Sequence, residues 1–129
     1  MTARLYRIIL PVSGLDTTRA FYERVLALTG EQVSVGRYYI DCGGTILALF
    51  DAKVEDGRDV PPNPEHVYFA VSDLDDVFRR VKETGAQSDD AITTQPWGER
   101  SFYAKDPSGN PVCFVDEQTI FAGGRFIEE

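Results

Sequence analysis

A chain of 129 residues, 43% of them hydrophobic, is long enough for one domain with a buried core and too short for two ordinary ones. Its formal charge of -8, from 21 acidic residues against 13 Lys and Arg, excludes the clustered positive charge that a nucleic-acid partner requires. The longest apolar runs, such as Thr45 to Phe50, fall far short of the roughly 20 residues that cross a bilayer, so no membrane partner is expected.

At the N-terminus Arg4 and Arg7 interrupt a short apolar stretch that lacks the basic, apolar and small-residue regions of an export signal, and a cytoplasmic location is expected. Ile8-Ile9-Leu10 reads as a strand. Val12-Ser13-Gly14-Leu15-Asp16 then predicts a strand-to-helix turn, with Ser13 set to cap the helix and Asp16 to favour its positive end. Phe21, Val25 and Leu28, spaced i, i+4, i+7, give that helix one apolar stripe, and Thr29-Gly30 is the expected stop, since Gly accepts the left-handed conformation of a helix end. Strands are predicted over residues 32–35, 37–41 and 45–50, the last two joined by Gly43-Gly44. The Pro-rich, charged residues 52–65 read as a linker.

The pattern then returns. Val71-Ser72-Asp73-Leu74-Asp75 repeats the first turn at an offset of 59 residues, from Val12 to Val71, and follows the apolar run Val67-Tyr68-Phe69. Leu74, Val77, Phe78 and Val81 place an apolar stripe on a second helix, which Thr84-Gly85 closes four residues sooner than in the first copy. Weaker strand signals lie at residues 91–94, 100–104 and 111–116, and residues 106–110 form the turn between the last two. Each half is therefore β-α-β-β-β. The expected protein is α+β, with module 1 at about 5–51, the linker at 52–65, module 2 at about 66–117 and a tail at 118–129. Cys42 and Cys113 sit in no CxxC or other metal spacing and read as reduced, buried thiols.

This tandem repeat resembles the vicinal-oxygen-chelate fold of glyoxalases, bleomycin-resistance proteins and extradiol dioxygenases. The more specific likeness is Pro96-Trp97-Gly98-Glu99-Arg100-Ser101-Phe102-Tyr103 followed by Asp106-Pro107-Ser108-Gly109-Asn110-Pro111, which looks like the family's penultimate strand and its DP-x-GN turn. The resemblance covers residues 5 to 117, and Thr119-Ile120-Phe121-Ala122-Gly123 in the tail is also similar to bacterial members. It implies two curved mixed sheets enclosing a ligand cleft, and metal-ligand positions on the first and last strands of each module. Those positions are Arg7, Ala48, His66 and Cys113 here; Arg7 and His66 share the repeat offset of 59, and Ala48 and Cys113 the offset of 65 that also relates Gly44 to Gly109.

Of the four, His66 is a good donor, Cys113 is a donor only as thiolate, Ala48 is none, and the guanidinium of Arg7 repels a divalent cation. One imidazole does not complete a site, so no cofactor is expected and a divalent metal is disfavoured. Arg7 is either a strand residue with its charge in solvent or a hook for carboxylate or phosphate. His66 either bonds locally or touches a ligand, and Cys113 is either a small buried residue or, with a lowered pKa, a nucleophile. Alternation turns Ile9, Pro11, Ile46, Phe50, Tyr68, Ala70, Pro111 and Val115 to the same face as these four, and turns Ile8, Leu10, Leu47, Leu49, Val67, Phe69, Val112 and Phe114 under the helices. Trp97 reads as a loop aromatic or a ligand platform.

The expected ligand-contacting set is Arg7, Ile9, Ala48, Phe50, His66, Tyr68, Trp97, Arg100 and Cys113, with Arg7 and His66 converging on one ligand. Three functions fit: a metal-free binder of a small organic molecule, similar to the bleomycin-resistance branch; a metal-dependent lyase, isomerase or dioxygenase; and a metal-independent enzyme using His66 as acid or base. Missing ligands favour the first. The resemblance also implies a homodimer, with each cleft inside one chain or with modules exchanged between two.

Overall fold

A computed structural model of the chain describes residues 2–121. Residues 122 to 129, most of the expected tail, lie outside them. Each half opens with a strand whose alternate side chains are apolar on one side, so a helix must cover that side before the chain returns. Module 1 is β1 (Arg7–Pro11), α1 (Leu15–Leu26), β2 (Glu31–Ser34), β3 (Arg37–Cys42) and β4 (Thr45–Phe50). After a short helix, α2 (Ala52–Asp56), module 2 is β5 (Val67–Val71), α3 (Leu74–Thr84), β6 (Thr93–Thr94), β7 (Arg100–Lys105) and β8 (Pro111–Asp116), followed by a 3-10 turn at Glu117–Thr119.

The strands form two four-stranded sheets of identical order, β1-β4-β3-β2 and β5-β8-β7-β6. The first strand pairs in parallel with the last in each sheet and the other pairings are antiparallel, giving two mixed sheets of an α+β fold. β1 and β5 are both sheet edges, and no backbone ladder joins them among the described residues. No described helix is long and apolar enough to cross a membrane.

The helix-covered faces carry the core as the alternation requires. Leu10, Leu47, Leu49, Phe69, Val112 and Phe114 are buried, with Val67 packed against them. Phe69, Phe114 and Phe102 stack in series at 5.5 and 5.3 Å, and Phe78 meets Phe102 edge-on at 4.9 Å. From the helices come Phe21, Tyr22 and Val25 of α1 and Leu74, Val77 and Val81 of α3.

The helix ends differ from expectation. α1 stops at Leu26, where Ala27 takes the left-handed conformation at φ 56, which leaves Leu28 outside the helix and exposed. Gly30 instead permits a close approach of backbone to strand, because a Cβ there would lie 2.3 Å from the Tyr39 carbonyl oxygen and 2.6 Å from the Tyr38 ring. The helices have 12 and 11 residues, so the second is shorter by one. Neither Ser13 nor Ser72 caps a helix; the N-cap positions are Gly14, without a side-chain bond, and Asp73, whose carboxylate accepts from Asp76 N. The expected strand at residues 91–94 shrinks to Thr93–Thr94.

The linker is also more ordered than its composition suggests. Asp51 caps α2, and the Glu55 carboxylate accepts from Ser34 Oγ, Gly36 N and the Arg37 guanidinium, tying the linker to the β2–β3 turn.

The 106–110 turn joins the modules. The buried Asp106 carboxylate accepts from Tyr22 Oη at 2.7 Å, Ser108 N at 2.8 Å, Asn110 N at 3.0 Å and Asn110 Nδ2 at 2.9 Å. Asn110 Nδ2 also donates to Pro11 O at 2.7 Å, and Ser108 Oγ lies 2.6 Å from Thr18 Oγ. Nearby α1 packs on α3, with Arg80 donating to Val25 O at 2.9 Å.

Two stability predictions follow from these contacts. Tyr22→Phe removes one donor from a buried carboxylate and should lower the unfolding free energy by about 1.5–3 kcal/mol, with Asp106→Ala costing more because several donors lose their acceptor. Ser72→Ala should stay within about 0.5 kcal/mol, since Ser72 caps nothing; urea titration of the three variants checks the order. Hydrogen bonds from Ser34 and then Gly36 hold the Glu55 carboxyl below its ordinary 4.5. Its contribution is therefore present above that value and lost as pH falls through the lower folded value, so Glu55→Gln should flatten the acid limb of a stability-pH curve.

Candidate functional site

The faces turned away from the helices carry the candidate residues. On module 1, Arg7 and Ile9 stand on β1 and are exposed, Phe50 of β4 is partly covered, and Ala48 is buried at 2% exposure between its neighbours. The Arg7 guanidinium lies 4.9 Å from the Tyr6 ring centre and 5.0 Å from that of Tyr39. A side-chain hydrogen bond with Tyr6 raises its pKa further, so the charge is permanent. Arg37 lies 4.8 Å from the Phe50 ring while bonded to Glu55.

On module 2, cross-strand pairing sets Tyr68, Cys113 and Tyr103 in one row across β5, β8 and β7. His66, exposed just before β5, meets the Tyr103 ring edge-on at 4.8 Å and lies 6.4 Å from that of Tyr68. A hydrogen bond with Tyr68, then burial, pushes the Tyr103 hydroxyl up to about 12. Tyr103 and Ser101 were absent from the expected set. Their signal was available in the sequence, since alternation along residues 100–104 turns both to the face of Cys113.

The same alternation corrects Arg100. It stands on the helix side of β7 with Phe102 and Ala104, 3.0 Å from Asp75 and 3.5 Å from Asp116, so its charge is already matched away from the candidate face. Trp97 lies in the β6–β7 turn, 61% exposed, with Nε1 donating to Glu99 Oε1 at 2.8 Å.

Among the described residues no hydrogen bond, ion pair or ring contact joins Arg7 to His66. The end of β1 is held at Pro11 by Asn110, which leads into β8, and the start of β8 lies beside the start of β5. His66 thus sits toward the Pro11 end of β1, while Arg7 is four residues back, about 13 Å along the strand. A cavity of about 580 Å³ opens beside these strands, lined by Ile8, Leu47, Val67, Phe69 and Val77 of the helix-covered faces and by Ile46, Tyr68 and Ala70 of the uncovered ones.

A sequence model of the Glyoxalase/Bleomycin resistance protein/Dioxygenase superfamily matches residues 4–114. The chain belongs to that superfamily. Among solved structures it is similar to lactoylglutathione lyase from Agrobacterium tumefaciens, at 25% identity over 88% of this chain and 93% of that one, with a TM-score of 0.69. A superfamily member from Sphaerobacter thermophilus is 24% identical over 89% and 98% of the two chains at a TM-score of 0.70. Oxidase ChaP-H2 shares the fold at a TM-score of 0.73, with 23% identity over 90% and 94%. No curated protein sequence matches this one.

Measured against the superfamily's metal positions, the donor set does not fit an ion. Ala48 has no donor, Arg7 is a fixed cation, and Cys113 is fully buried with its thiol pushed up to about 11, chiefly by burial, against an opposing hydrogen bond with Ser101. No group of three or more His, Cys, Asp or Glu side chains able to hold a metal occurs among the described residues. Cys113 is equally unsuited to nucleophilic work at neutral pH, since neither Arg7 nor His66 is among the groups that act on it and the thiolate is disfavoured. Cys42, partly buried, is shifted the same way by burial and then by Asp41. Both thiols are free. Iodoacetamide at pH 7.5 should therefore leave Cys113 unmodified in the folded protein and alkylate it in urea, as read by intact-mass and peptide spectrometry; rapid labelling of folded protein at Cys113 would reverse this assignment.

Proposed function

We propose that this superfamily member binds a small organic molecule on the sheet faces that its helices leave uncovered, without a metal ion. The observation that carries the reading is the chemistry of the four metal positions: one free imidazole at His66, a cation at Arg7, and two small buried side chains, Ala48 and Cys113, that form a floor. Contacts come from Arg7, Ile9 and Phe50 on module 1 and His66 and Tyr68 on module 2, with Tyr103 added. Trp97 and Arg100 are left out because their charge or polar atoms are engaged elsewhere.

A cytoplasmic homodimer belongs to the same reading. Leu5, Tyr6, Ile9 and Tyr68 are each more than half exposed, and the cleft lies either inside one chain or between modules exchanged by two copies, the latter bringing an Arg7 of one copy and a His66 of the other to one ligand. A metal-independent enzyme is the second reading. It is favoured by the exposed His66 edge-on to Tyr103, an imidazole beside hydroxyls that could hold a proton-accepting substrate.

Calorimetric titration with Mn, Ni and Zn, together with elemental analysis of protein purified without affinity metal, should show no stoichiometric ion. A thermal-shift screen of small organic acids and bases should find ligands that stabilise by about 2.7 kcal/mol at a hundredfold excess over Kd. His66→Ala and Arg7→Ala should lose that shift while changing ligand-free stability by no more than about 1 kcal/mol. One-to-one metal binding that His66→Ala abolishes would overturn the proposal.

A further inference from the structure

We infer that the uncovered face of module 1 takes a planar aromatic carboxylate, with the carboxylate on Arg7 and the ring over Ile9 and Phe50. This deepens the reading of that face as a ligand surface and rests on it.

The inference starts from what Arg7 lacks. Seven of the nine described arginines form ion pairs, and Arg4 donates to the Gly44 carbonyl. Among the described residues Arg7 has neither a carboxylate nor a carbonyl; its guanidinium meets only the Tyr6 and Tyr39 side chains. In a chain with 21 acidic residues against 13 Lys and Arg, a cation without an acid marks a place from which acids are kept away. Asp41 and Glu31 do face the same side, but from β3 and β2, two and three strands from β1, or about 10 and 14 Å by strand spacing. Asp41 is moreover occupied in accepting from Gly44 N at 2.7 Å.

The surroundings select among anions. Two aromatic rings lie beside the guanidinium, and a side-chain hydrogen bond with Tyr6 uses part of its donor capacity; its five N–H donors leave others that can bond a carboxylate. Ile9 stands two residues along β1, about 7 Å away, with 54% of its surface exposed; Ile46 lies beside Arg7 on β4, and Phe50, with the Arg37 guanidinium 4.8 Å from its ring, closes the apolar strip at the other end. That is room for a fused bicyclic ring lying along the strand. A polyphosphate would gain nothing from this strip and would meet the repulsion of the -8 chain at higher charge. A singly charged, flat acid uses both the cation and the apolar surface.

The test is a titration of the full ¹⁵N-labelled chain with 2-naphthoate and, separately, 2-naphthamide, followed by amide chemical shifts in the wild type and in Arg7→Gln. The acid should bind saturably, move the amides of Arg7, Ile9, Ile46 and Phe50, and bind at least about tenfold more tightly than the amide. Arg7→Gln should remove that preference while amides of the core strands keep their positions, which separates lost recognition from lost fold. Equal affinity for acid and amide, a preference that survives Arg7→Gln, or acid shifts confined to module 2 would each overturn the inference. If the amide saturates this face and the acid does not, the face binds small molecules and only the anionic class is wrong. If neither compound moves these amides, the reading of the face as a ligand surface fails with it.

Discussion

A carboxylate taken out of water must find donors, and Asp106 finds four of them from three residues in two modules. Satisfying that charge closes the 106–110 turn, in which Gly109 takes φ 89, and orients Asn110 so that its amide reaches Pro11 O. Because Tyr22 is a core residue of α1, the same charge also fixes the first helix against the second module. Burial, then the facing Asp106, pushes the Tyr22 hydroxyl well above its ordinary value, so it remains a donor throughout the physiological range. The family's DP-x-GN turn is in this chain a fastening between halves.

The parts of the fold legible in the sequence were those written in local periodicity. Ile8 to Leu10 and Val67 to Phe69 are too short for a helix, and their alternates on both modules are apolar without exception, so the buried side of each sheet followed. Helix ends were less legible because caps depend on what else the residue does. Gly30 looks like a helix stop and is instead pressed against Tyr38 and Tyr39, while the stop falls on Ala27, which carries no sequence mark.

Candidate-site residues divide in the same way. Facing could be read, so Arg7, Ile9, Phe50 and Tyr68 are where alternation puts them, and the same rule turns Arg100 to the helix side. The depth of Ala48 could not be read, because it lies on a strand flanked on either side and larger neighbours cover it, whereas Cys113 is buried as expected of a small interior thiol. Convergence of Arg7 and His66 could not be read either, since it depends on how two sheets are set against each other, and no local pattern carries that. The repeated module has thereby produced two unlike faces, one with a cation among aliphatic and aromatic side chains, the other with tyrosines and an imidazole.

The unpaired outer edges of β1 and β5 bear on how such a chain avoids aggregation. Strand edges with free N–H and C=O groups are templates for other strands, and proteins usually blunt them with brevity, charge or proline. All three occur here: each edge has five residues, β1 begins on Arg7 and ends on Pro11, which has no N–H to offer, and Pro64 stands shortly before β5. Edge-to-edge growth from either strand therefore runs out of backbone donors within a few residues, and a polymer built by repeated strand addition has no long, uniform surface from which to propagate.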